Sequence, residues 1–270
     1  TTAVDQVRLA GSGDGSLTFQ NCALPVLPAN WYWRPDAYIA YDYQTNQVWL
    51  VGQARSVGAV TNQVGVYVTA GFPQGDGSIL WDVPVALWTH AGTANLLPEL
   101  ALGTGDGSGA KYVLFVDGYE ATPGPVRLYT VAEDVGSFTS QDLAVSDPMS
   151  DAYTLPALTV GPNGSVFAAW IKVFVAQTAG PYTFMGRTSH DGGQTFGPAE
   201  FIAGIDFVAN GPGAVLSTIQ LPTLLFATHS PDFPDTRLAF WATPYSGGAV
   251  NDPSEIFLVN DCCGGTWNFF

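Results

Sequence analysis

The feature that most restricts how this chain can fold is a recurrence. The stretch SHDGGQTF at residues 189–196 returns as SGDGSLTF at residues 12–19, with Ser16 in one glycine slot. Weaker copies stand at residues 74–81 (QGDGSILW), at residues 132–139 (AEDVGSFT) and around Asp261 (NDCCGGTWN). Their aspartates, Asp14, Asp76, Asp134, Asp191 and Asp261, follow one another at steps of about sixty residues, the kind of period that marks a repeat architecture. Asp and Ser side chains hydrogen-bond nearby backbone N–H groups, glycine supplies positive φ, and a terminal aromatic anchors the turn in a core. A device that every repeat needs is a staple of the fold, whereas a catalytic motif needs to occur only once.

A second signal has the same period. RPDAYIAYD, LPELALG, LPALTVG and LPTLLFA each set a proline, Pro35, Pro98, Pro156 or Pro222, at the mouth of an apolar strand. A second strand follows each (QVWLVGQAR, KYVLFVDG, SVFAAWIKV, TRLAFWAT), and then a third that runs into the aspartate turn (QVGVYVTAG, VRLYTVAED, YTFMGRTSHD, SEIFLVND). A fourth, such as DVPVALW, QDLAV or AEFIA, completes the first three units. Four strands per repeat predict an all-β fold: a β-propeller of four-stranded antiparallel blades, about five of them, or a share of a six-bladed ring. The chain reads as one domain, 1–270, with units at 1–28 (partial), 29–90, 91–146, 147–204 and 205–270. Its N-terminal segment supplies a third and fourth strand only, a surplus pair. The pair either closes on the C-terminal blade or leaves an edge for self-association with a neighbouring chain.

Composition agrees with many short strands and punctuated turns: 11% charged, 47% hydrophobic, 13% aromatic, 31 Gly and 19 Pro. A net charge of −15 repels nucleic acid and anionic membrane surfaces, and no apolar run is long enough for membrane insertion. Three cysteines allow one disulfide: Cys22 with Cys262 or Cys263, or a vicinal bridge within the pair. With the acidity and the tryptophans, this places the protein as secreted or on the cell surface. No metal or other cofactor is implied, because His90, His190 and His229 are scattered without ligand spacing.

The aspartate turns resemble the Asp-box, or BNR, repeat, and the whole chain resembles the sialidase-like β-propeller superfamily. That resemblance implies that the turns sit at the rim and are structural. It also sets Arg34 in the place of the arginine that binds the substrate carboxylate, with Arg55 at a later one. The resemblance has a gap, since residues 56–65, SVGAVTNQVG, hold no carboxylate where the family keeps its acid/base.

First strands line a propeller's axis, so NWYWRPDAY at residues 30–38 stands out. Trp31, Trp33 and Tyr38 offer faces for sugar rings, Arg34 a forked cation and Asp36 an acid, together a candidate ligand site. The same aromatics could equally fill an inter-blade core. The candidate catalytic acids are Asp36 and Glu99, each directly after the repeat's proline. Three functions follow: a glycan- or surface-binding propeller without the full sialidase set, a glycoside hydrolase or lyase using axial carboxylates, or an adhesive assembly subunit.

Overall fold

The computed structural model describes residues 9–11, 20–57, 62–92, 98–103, 110–116, 124–132, 135–145, 151–161, 163–174, 182–205, 223–226, 237–243, 255–261 and 267–269. The elements among them are strands in five antiparallel sheets that follow one another along the chain. β1 (Leu9–Gly11) and β2 (Gln20–Cys22) form a hairpin. β3 (Trp31–Asp42), β4 (Gln47–Ser56) and β5 (Gln63–Pro73) make the first full blade, whose outer strand is broken into β6 (Ile79–Trp81) and β7 (Val85–Ala91), both paired to β5. β8 (Glu99–Leu102), β9 (Lys111–Val116), β10 (Val126–Val131) and β11 (Phe138–Ala144) make the second. The third is β12 (Asp151–Val160), β13 (Val166–Phe174), β14 (Tyr182–Ser189) and β15 (Glu200–Ile205); the fourth is β16 (Thr223–Phe226), β17 (Arg237–Thr243), β18 (Glu255–Asp261) and β19 (Asn268–Phe269).

First strands lie side by side, β3 by β8, β8 by β12 and β12 by β16. Four-stranded meanders arrayed in this way form a β-propeller of about five blades, with the β1–β2 hairpin as the partial one. No helix among the described residues is long and apolar enough to cross a membrane.

Burial follows from that arrangement. A strand sandwiched between two neighbouring blades must be apolar on both faces, and β9, KYVLFV, is buried at every position. The outermost strand of the same blade, β11, buries only Leu143 fully. The cores therefore lie between blades. Trp49, Val51 and Val66 of the first meet Leu100, Val113 and Phe115 of the second. Leu114 and Leu128 meet Leu158 and Trp170 of the third, and Phe167 and Ile171 meet Ala239 of the fourth. Truncating any one of the large aromatics to alanine costs about 3–5 kcal/mol.

The N-terminal segment closes over the first blade. Leu24 and Leu27 pack on Trp33, Leu50 and Tyr67, and the indole N–H groups of Trp33 and Trp81 donate to the carbonyls of Pro25 and Ala23, each at 2.9 Å. Cys22 is a buried thiol lying 3.1 Å from the Gly77 carbonyl. No disulfide is present among the described residues; Cys262 and Cys263, the partners expected for Cys22 or for each other, lie outside those residues.

The aspartate turn of the third blade is closed by its own side chains. Ser189 Oγ donates to Asp191 Oδ1 (2.7 Å) and accepts from the Gly193 amide (2.8 Å), while Asp191 accepts from the Thr195 amide (2.8 Å) and hydroxyl. Those donors, the Thr195 hydroxyl first, hold the Asp191 carboxyl down at about 2. Gly192 and Gly193 have φ of 69° and 77°, and a Cβ on Gly193 would stand 2.9 Å from the Tyr112 ring of the second blade. The Tyr112 hydroxyl and the Gln141 amide donate to the carbonyls of Gly192 and Gly193, so the turn docks one blade on the next. Asp76 closes a simpler exposed turn, accepting from the Ser78 amide (2.9 Å) and hydroxyl (2.6 Å). Asp261 ends β18 opposite Arg237 and pairs with that guanidinium, and the residues that follow it, 262–266, lie outside the described residues. Asp14 and Asp134 lie outside the described residues.

Candidate active site

The first strands, which lie side by side, carry the candidate acids in their N-terminal halves. On β3 the register passes from Trp33 opposite Ala54 to Ala37 opposite Gly52, so Arg34, Pro35 and Asp36 together face Gln53. On β12 it shifts between Thr154 and Ala157, and Leu155, just before Pro156, takes φ of 47°. Proline cannot donate to a ladder, and a bulge is the usual accommodation; it also re-aims neighbouring side chains.

Strand alternation splits the expected ligand cluster between two faces. Trp33 is 8% exposed, and Trp31 meets Tyr67 edge-on with ring centroids 5.2 Å apart, both packing toward residues 24–27. These two indoles are thus packing residues of the first blade, because the bulge leaves them on the face covered by the N-terminal segment. Tyr38 lies on the opposite face, against the core shared with the second blade, where its hydroxyl acts to lower the Glu99 pKa. Asp36 belongs to the bulge; its side chain lies outside the described residues.

Glu99 is the first residue of β8 and follows a buried proline. Burial pushes its carboxyl up to about 7, and the Tyr38 hydroxyl draws it partly back. Asp151, the first residue of β12, pairs with Lys172 at 2.8 Å. Three successive first strands therefore carry an acid in their N-terminal half, Asp36, Glu99 and Asp151. The sequence reading missed Asp151 because it sought acids directly after the proline, and β12 begins five residues before Pro156.

Cations divide sharply. Lys111, Arg127, Lys172 and Arg237 are in ion pairs, whereas among the described residues Arg34, Arg55 and Arg187 have none, and the Nε of each is buried without a hydrogen-bond partner. Register sets Arg55 on the same face as Val51 and opposite Val64, toward the second blade. His90 stacks on Trp88, and His190 Nδ1 lies 3.4 Å from Ser165 Oγ; His229 lies outside the described residues. No cluster of three or more His, Cys, Asp or Glu with metal-binding geometry occurs among the described residues.

No family model matches the chain, and no curated protein does. Solved structures do. The α-L-arabinanase of Penicillium chrysogenum, complexed with arabinobiose, matches with a TM-score of 0.60 at 15% identity, over 98% of this chain and 73% of that one. The α-L-arabinanase of Cellvibrio cellulosa, complexed with arabinohexaose, matches with a TM-score of 0.48 at 12% identity, over 88% of this chain and 77% of that one. At such identity the first likeness establishes the propeller fold, and it does not single out the sialidase branch that the aspartate turns resemble.

Proposed function

We propose that this protein is a glycan-processing propeller, a glycoside hydrolase with Glu99 as its general acid. The observation that carries the reading is a half-buried carboxyl raised to about 7 at the start of an axis-lining strand. A carboxyl that keeps its proton near neutrality can give it to a glycosidic oxygen. In that step the bond from the anomeric carbon to the oxygen breaks, its electron pair stays on the oxygen, and the Glu99 proton neutralises it. Asp36, at the same repeat position one blade earlier, is the second carboxylate, attacking the anomeric carbon or activating the water that does. Arg34 and Arg55 are left to bind substrate, where their forked donors suit vicinal hydroxyls or a sugar carboxylate. The fold shared with an arabinanase supports a carbohydrate as the ligand.

The test is turnover on arabino- and galacto-oligosaccharides, both neutral and uronate-bearing, with NMR of the first anomer released. Glu99→Gln is expected to lower kcat by about 10²–10⁴-fold while binding persists. Binding without turnover by the wild-type protein would replace the hydrolase with a glycan-binding module. Absence of both would remove the carbohydrate reading.

A further inference from the structure

We propose that the first blade carries an outer binding shelf for a glycan chain, a cross-strand row of Tyr32, Arg55 and His90 that holds sugar units beyond those at Glu99. The proposal rests on the reading of this protein as a glycoside hydrolase, but it is tested by binding as well as by turnover.

The row is written in the strand register. Tyr32 of β3 stands opposite Arg55 of β4, Arg55 opposite Val64 of β5, and Val64 opposite His90 of β7. Cross-strand neighbours share a face, and this face packs on the second blade, since Val51, Val64 and Val66 belong to the core shared with Leu100 and Phe115. Trp88 meets Phe115 with ring centroids 5.8 Å apart. One pleat beyond that contact, the His90 ring stacks on Trp88 at 5.5 Å and 8°. The row is open at both ends: Tyr32 is 54% exposed and His90 is exposed, with Val64 buried between them as a floor.

These side chains suit a saccharide. Tyr32 offers an open aromatic face to a sugar ring, and the His90 ring is held in place by the indole behind it. Between them, Arg55 has no ion pair or hydrogen bond among the described residues, which leaves its forked N–H donors for ring hydroxyls. The row holds no carboxylate to attract a cation, and the net charge of −15 disfavours nucleic acid, so a polyhydroxylated chain is the occupant that fits. The shelf is also continuous with the candidate site, because Tyr32 precedes Arg34 by two residues on β3, the strand beside β8 and its Glu99.

Distance makes it an outer subsite. Neighbouring strands lie about 4.8 Å apart, so the row runs about 14 Å across the blade. Along β4, Arg55 stands four residues, about 13 Å, beyond Val51, the partner of Tyr38. A disaccharide held at Glu99 is too short to reach the row, whereas a hexasaccharide covers it.

Calorimetry in the Glu99→Gln background, with arabino- and galacto-oligosaccharides, compares the disaccharide with the hexasaccharide. Tyr32→Ala and Arg55→Met are each expected to weaken hexasaccharide binding about tenfold and disaccharide binding by less than about twofold, with Tyr32→Phe close to the parent protein. In the active protein the same loss appears as a higher KM for the hexasaccharide. Tyr32 is exposed, so its variants keep the measurement possible if Arg55→Met fails to fold. Unchanged hexasaccharide affinity in both Tyr32→Ala and Arg55→Met, with turnover intact in the wild type, would overturn the shelf and leave the hydrolase reading standing. Equal losses on both ligands would overturn it too, by placing these residues at the inner site. A wild-type protein without turnover, whose length-dependent binding is lost in the variants, would instead overturn the hydrolase reading and leave the shelf.

Discussion

Asp42 and Glu99 are two carboxyls on one seam, and the protein drives them in opposite directions. Both lie where the first blade meets the second, Asp42 at the end of β3 and Glu99 at the start of β8. Burial pushes the Asp42 carboxyl up, but the Lys111 ammonium at 2.7 Å and the Gln44 amide outweigh it and leave it below the usual carboxylate range. Glu99 has burial too, with only a tyrosine hydroxyl to set against it, and rises to about 7. The difference teaches where this fold keeps order and where it keeps reactivity. One end of the seam is locked by a fully buried ion pair lying over the Trp49 ring. The other holds a carboxyl at odds with its surroundings, the usual condition of a residue kept for chemistry.

The largest expected effect breaks the locked end. Asp42→Asn leaves the buried Lys111 ammonium without this carboxylate and should cost about 3–5 kcal/mol at neutral pH, read as a lower urea midpoint. Replacing both partners by apolar residues should restore most of it. Because the Asp42 pKa is lowered in the folded state, the contribution of the pair is complete above the ordinary aspartate value near 4. It is lost as the pH falls through the lowered folded value. A single variant as stable as the wild type would mean that the seam is held by its apolar core alone.

At the other end the sign reverses. Between about 4.5 and 7 the folded protein retains a proton on Glu99 that the unfolded chain has released, so stability falls as the pH rises across that window. Glu99→Gln removes the penalty and should stabilise the protein by about 2–3 kcal/mol at pH 8, and by almost nothing near pH 4. Equal stability of the two proteins at pH 8 would show that Glu99 ionises without strain, and the contrast with Asp42 would collapse.

The smallest effect sharpens the comparison at the rim. Ser189→Ala takes the acceptor from the buried Gly193 amide and one donor from Asp191, and should cost about 1–2 kcal/mol with kcat unchanged. A loss of activity without loss of stability would give the turn a part in chemistry that its hydrogen bonds do not indicate.

Much of this was open to sequence reasoning because it depends on local periodicity. Proline-led first strands, doubly apolar middle strands and serine–aspartate–glycine turns follow from backbone chemistry within a few residues, and they recur. Glu99 was also legible, as an acid one residue after the repeat's proline. The roles of Trp31, Trp33 and Tyr38 were not. Their faces depend on the bulge at Arg34–Asp36, and a shift within a strand moves side chains from one face to the other.

By itself, then, the sequence determined the all-β repeat, its approximate blade number and the residues at which first strands begin. Tertiary structure alone decided which acids differ in character. Asp42 and Lys111, or Tyr38 and Glu99, come from neighbouring blades far apart in the chain, and a carboxyl's proton affinity is set by what stands within a few ångströms of it. No pattern along a single strand contains that distance.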